Sequence, residues 1–72
     1  MKEVENYAAK DQYKILDYLY KNGGQCTVED LISHSGAERL RIYPMIFRLR
    51  EMELLEIVER NSWGTPIMVK VV

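Results

Sequence analysis

Apolar positions recur with two different rhythms along the chain. From Asp11, the residues Ile15, Leu16 and Leu19 follow helical spacing, and "KNGG" closes the stretch with a basic last turn and glycines that accept positive φ. This predicts a first helix from about Ala9 to Lys21. A short extended piece at Gln25 and Cys26 follows. Thr27 is then placed to cap the backbone of Asp30, and Val28, Leu31 and Ile32 form the buried stripe of a short second helix that Gly36 ends. Ala37 is small enough to tuck into the turn, and Glu38 suits the electropositive start of a third helix.

In that third helix Ile42, Ile46 and Leu49 recur at i, i+4 and i+7, with Met45 and Met52 available to widen the stripe. Pro44 costs roughly 3 kcal/mol inside a helix but little in a first turn. The helix is therefore regular only from about Ile42, or starts near Arg39 with a bent first turn. Beyond Met52 the period changes to two. Leu55, Ile57 and Glu59 alternate with Glu56, Val58 and Arg60, "NSWGTP" is turn chemistry, and "IMVKVV" is rich in β-branched residues. A C-terminal β-hairpin with a six-residue tip is expected, with Lys70 facing away from Ile67, Val69 and Val71. The predicted class is mainly α with that hairpin, an α+β arrangement in a single domain over residues 1–72.

Composition fits this plan. The chain is 47% apolar and 29% charged, too rich in large apolar residues for disorder. At this length only about 60% of the unfolded surface is buried, so the core is small. Cys26 is the sole cysteine, which rules out an intrachain disulfide and favours a reducing, cytoplasmic setting. The amino terminus lacks an apolar leader pattern, and no apolar run approaches the roughly 20 residues of a membrane span. A soluble protein is expected.

Net charge is −1, but its distribution is uneven. Residues 1–38 hold four lysines against seven acids, net −3; residues 39–72 hold five arginines and one lysine against four acids, net +2. Arg39, Arg41, Arg48 and Arg50 fall in a stretch without an acid, a local basic cluster of the kind that meets phosphates.

Chemistry of other kinds is scarce. Cys26 and His34 are too few for a structural zinc site, and Asp30 with His34 makes a surface pair at most. Cys26 is expected to pack as a small apolar residue beneath the sheet. No nucleophile, base and orienting group can be assembled, and "NGGQC" lacks the lysine and spacing of a phosphate loop. No enzyme activity, cofactor or metal is expected, and so small a core leaves no effector pocket unless pairing creates one.

Three helices in order, a tight second turn and a terminal hairpin over residues 11–72 resemble the winged helix-turn-helix plan. The segment "CTVEDLISHSGAERLRIYPMIFRLREMELL" is similar to the generic regulator pattern: an apolar second-helix stripe, a glycine and a small residue in the turn, then apolar third-helix positions before a Gly-Leu corner. Within that class "IYPMIFRLREMELL" looks most like PadR-type transcriptional regulators, through Tyr43, Pro44, Ile46, Arg48 and Leu49. Two departures stand out. Glu53 occupies the usual glycine position, so the corner is expected to form without a free φ, and Phe47 replaces a polar or basic residue. Residues 1–72 also end at the wing, without the C-terminal helices through which PadR proteins dimerise, so a dimer is expected to use another surface.

The resemblance implies a DNA-reading third helix. Stepping about 100° per residue from Ile42 places Leu40, Pro44, Phe47 and Glu51 opposite the core, with Arg41 and Arg48 beside them and Arg39 and Arg50 on the other flank. Arg41 and Arg48 become candidates for base edges and Arg39 and Arg50 for phosphates, and the resemblance adds Tyr43 as a further DNA contact. Alternatively these arginines merely solvate a packing helix. The ridge of Leu40, Pro44 and Phe47 equally suits a protein partner, unless a curved or late-starting helix turns Leu40 into the core. Trp63, near Arg60 and Asn61, either reaches a DNA backbone or minor groove or folds back over Pro66 to cover the sheet. Tyr7, Tyr13, Tyr18 and Tyr20 surround the first helix, as at a homodimer interface through that helix and the N-terminal segment, or as ordinary rim packing.

Overall fold

A computed structural model describes the backbone of residues 2–72 and the side chains of residues 9–72. The order is α1 (Lys2–Lys21), β1 (Gln25–Thr27), α2 (Val28–His34), a 3-10 turn (Arg39–Arg41), α3 (Ile42–Glu51), β2 (Leu55–Arg60) and β3 (Pro66–Val71). The three strands form one antiparallel sheet in the order β1-β3-β2. The protein is thus a small α+β domain. No described helix is long and apolar enough to cross a bilayer.

α1 begins before the expected Ala9 because "KEVENYAAK" contains no proline or glycine to stop it. It ends as "KNGG" demands: Gly23 takes φ 82°, and Gly24 N donates to Leu19 O at 2.7 Å. Three extended residues then pair Cys26 with Val69 and Thr27 with Met68, which enlarges the expected hairpin to three strands. Thr27 also caps α2, its hydroxyl accepting from Asp30 N at 3.1 Å.

Behind α2, the Ser35 hydroxyl donates to Leu31 O and accepts from Ala37 N, while Gly36 reverses the chain at φ 84°. Ala37 is buried, as expected. α3 is regular from Ile42, and Pro44 is its third residue, where the missing N–H costs no hydrogen bond. Ile42, Met45, Ile46 and Leu49 are buried. Met52 does not widen the stripe: it sits at the helix end, 50% exposed.

The corner after α3 departs from expectation in a specific way. Glu53 itself adopts φ 61°, the one positive value among the described non-glycine residues. Glu53 N donates to Arg50 O and Leu54 N to Leu49 O, both at 3.0 Å, the paired bonds of a Schellman closure. The free φ is taken without glycine.

Ile15, Leu19, Leu31, Ile42, Ile46, Leu49, Leu55 and Val69 are the fully buried centre, where α1, α2, α3 and one face of the sheet meet. Cys26 lies within the sheet's β1 and is buried with them. Burial pushes its thiol to about 11, with Asp30 adding to the effect. The simple alternation expected of the hairpin fails beyond Ile57. Ile57 pairs with Val69 but Glu59 with Met68, so Val58 is an extra, exposed residue, and a second shift leaves Ile67 unpaired in register and partly exposed. Lys70 faces outward to Glu56 at 3.6 Å.

Among the tyrosines, Tyr18 packs against the core and stacks on His34 with ring centroids 6.4 Å apart. Tyr13 and Tyr20 are exposed. Tyr7 lies outside the residues whose side chains are described.

Candidate nucleic-acid interface

α3 is anchored by its buried stripe, so its opposite side faces outward. Tyr43, Pro44, Phe47, Arg48 and Glu51 are all exposed there, with Arg50 beside them. The hairpin rises next to this side. Tyr43 and Phe47 of α3 and Trp63, Gly64, Thr65 and Pro66 of the hairpin enclose an open trough of about 410 Å³. A neighbouring cleft of about 470 Å³ shares Tyr43, Thr65 and Pro66 with it and extends to Arg39 and the start of α2. One aromatic-lined groove therefore runs between helix and hairpin.

The hairpin tip is laced by hydrogen bonds. Asn61 Oδ1 accepts from Trp63 N at 2.8 Å and Thr65 N at 3.0 Å, and Gly64 turns at φ 85° with its N donating to Asn61 O at 2.9 Å. Arg60 Nη1 donates to Gly64 O at 2.8 Å, which binds this arginine across its own turn. Trp63 is held out at 89% exposure. It lines the trough with Pro66 but does not fold over the sheet, so that expected alternative is set aside.

Three residues placed by helical stepping sit outside the α-helix. Arg39, Leu40 and Arg41 form the 3-10 turn, where about three residues complete a revolution and the 100° stepping no longer holds. Leu40 stays 85% exposed, and the late start of α3 does not turn it into the core. Arg41 is drawn back to α1, where its Nε donates to Asp11 Oδ2 in an ion pair. Asp11 is 2% exposed, and its other oxygen accepts from Glu38 N at 3.5 Å. Arg41 therefore ties α1 to the turn before α3 while its side chain stays partly exposed; a partner thirty positions earlier leaves no local mark in the sequence.

The fold also brings in two cations that the charge count hid. Lys10 and Lys14 of α1 line an opening of about 320 Å³ with Asp11, Gly36, Glu38, Arg39 and Arg41, at the foot of α3. Lys14 Nζ donates to Gly36 O at 3.2 Å. Both lysines come from the half of the chain that is net acidic. Their i, i+4 spacing was the available signal, and it places them on one face of α1.

Taken together, the groove offers aromatic faces for stacking or methyl contact, and Arg39, Arg48 and Arg50 offer donors for oxyanions or base edges. No family model matches the chain, and searches of curated proteins and of solved structures find no match.

Proposed function

We propose that this chain is a winged helix-turn-helix domain of a small transcriptional regulator that binds duplex DNA, with α3 in the major groove and the β2–β3 hairpin on the backbone as its wing. The observation that carries the reading is the ten-residue α3, anchored on one side and exposing Tyr43, Pro44, Phe47 and Arg48 on the other beside a hairpin whose tip is laced by hydrogen bonds. Element order and the β1-β3-β2 sheet support the class, and the Tyr43-Pro44 pair with Arg48 and Leu49 supports the PadR-like pattern within it.

In this reading Arg48 meets a base edge, Tyr43 and Phe47 meet thymine methyls or sugars, and Arg39 and Arg50 meet phosphates. Trp63 lies against the backbone at the wing. Tyr13 and Tyr20 on α1 supply a surface for pairing two copies, which would set two α3 helices on half-sites roughly one DNA turn apart.

A second reading rests on Leu40 and Trp63, both almost fully exposed, with the Pro44–Phe47 ridge between them. Large exposed apolar groups of this kind also suit a protein partner. Salt dependence separates the two. With four or five phosphates neutralised, log affinity for duplex falls with log salt at a slope of about −4, and Arg48→Ala weakens binding. No duplex affinity at low salt, across a random-sequence pool, rejects the DNA reading in favour of docking; Phe47→Glu then abolishes partner recovery while the circular dichroism stays native.

A further inference from the structure

We infer that Lys10, Lys14 and Arg39 form a seat for one phosphodiester of the DNA backbone, so that α1 grips the strand flanking α3. This rests on the duplex reading above and adds to it a contact from a different element. The charges around the opening do not cancel. Asp11 is engaged by Arg41, which leaves Lys10, Lys14 and Arg39 facing only Glu38, for a net of +2. Lys10 and Arg39 make no ion pair among the described residues.

Lys10 and Lys14 stand one helical turn apart, a like-charge spacing that disfavours an isolated helix. Folding adds a third cation, Arg39, against a single unengaged carboxylate, Glu38. Such a cluster is relieved by an anion, and an ammonium is a compact donor suited to a single oxyanion.

Geometry fixes where that anion sits. Lys14 lies across the α2–α3 turn, its Cδ 3.8 Å from where a Cβ on Gly36 would be. One of its three protons goes to Gly36 O, and two remain for a ligand. Arg39 lines both this opening and the groove beside Tyr43. The seat is thereby continuous with the exposed side of α3, which favours a phosphate within the same polymer over a free one.

The test titrates the full chain into a fluorescent duplex at several salt concentrations and compares Lys10→Gln with Lys14→Gln combined, Arg48→Ala, and Lys21→Gln, whose lysine is already paired with Asp17. The double lysine variant is expected to keep the native melting curve, to bind about tenfold more weakly near 0.1 M salt, and to lower the salt slope by about 1. Lys21→Gln leaves the slope unchanged. A double lysine variant with wild-type affinity and slope, alongside a weakened Arg48→Ala, overturns the seat and leaves the duplex reading standing. A wild-type chain without duplex affinity overturns both. Inorganic phosphate that saturates the Lys10, Lys14 and Arg39 resonances at lower concentration than duplex phosphates would also reject the DNA assignment, by giving the seat to a free anion.

Discussion

Asp11 on α1 holds the Arg41 guanidinium across the turn that opens α3, and Asp11 is the one charged side chain buried among the described residues. The pair joins the first helix to the third at the point where the chain changes from 3-10 to α geometry. Its two members are unequal, because the Arg41 side chain keeps 44% of its exposure while that of Asp11 keeps 3%.

Removing either partner therefore costs different amounts. Arg41→Ala strands a buried carboxylate and is expected to destabilise the fold by about 3 kcal/mol or more. Asp11→Ala removes one partner from an arginine that water already reaches, at about 1–2 kcal/mol. Urea unfolding of both variants at pH 7 measures the difference. Equal losses would mean the carboxylate is not the vulnerable member.

Glu53 offers a substitution that stabilises. A non-glycine residue at φ 61° carries a left-handed penalty of about 1–2 kcal/mol, and glycine removes it at an unfolded-state entropy cost of about 0.5–1 kcal/mol. Glu53→Gly should raise stability by up to about 1 kcal/mol, seen as a melting temperature several degrees higher. A lower melting temperature would point to a contact of the Glu53 side chain that outweighs its backbone strain.

Cys26 is predicted to be an inert thiol. Pushed from 9.0 to about 11 and buried, it stays protonated at pH 8, and labelling by a disulfide reagent should proceed only through opening of the fold. The raised value favours the neutral form in the folded state. Its contribution to stability is complete below pH 9.0 and is lost as pH rises through about 11, since the unfolded thiol ionises first. Cys26→Ala should flatten that alkaline decline relative to wild type; identical alkaline profiles would contradict the assignment.

Trp63 is the single tryptophan, so intrinsic fluorescence reports the hairpin tip. At 89% exposure its emission should match that of a hydrated indole and be quenched readily by iodide. Trp63→Ala should change stability by less than about 0.5 kcal/mol while weakening duplex binding. A large stability loss would assign the ring to packing.

The sequence was most informative where one residue type has one local use. "KNGG" stopped a helix, Thr27 capped the next, and Ile42, Ile46 and Leu49 marked the buried side of α3. Local rhythm was insufficient where distant partners decide. β1 is three residues long and becomes a strand only by pairing with β3, and Arg41 is drawn toward α1 by Asp11. The same applies to the candidate site: Phe47 and Arg48 are legible from helical periodicity and Tyr43 from the Tyr-Pro pair, whereas Lys10 and Lys14 join Arg39 only once α1 folds against the α2–α3 turn. Glu53 stands out in the sequence at the corner after α3, but nothing local in it marks the left-handed backbone that the Schellman closure imposes.

The bulge at Val58 bears on self-association. β2 is an open border of the sheet, and an open border with regular pleating invites another chain to add a strand. Here the ladder is interrupted after Ile57, and Glu56 and Glu59 place like charges along the rim. The opposite border, β1, spans only three residues. Neither rim makes a good template for ribbon growth.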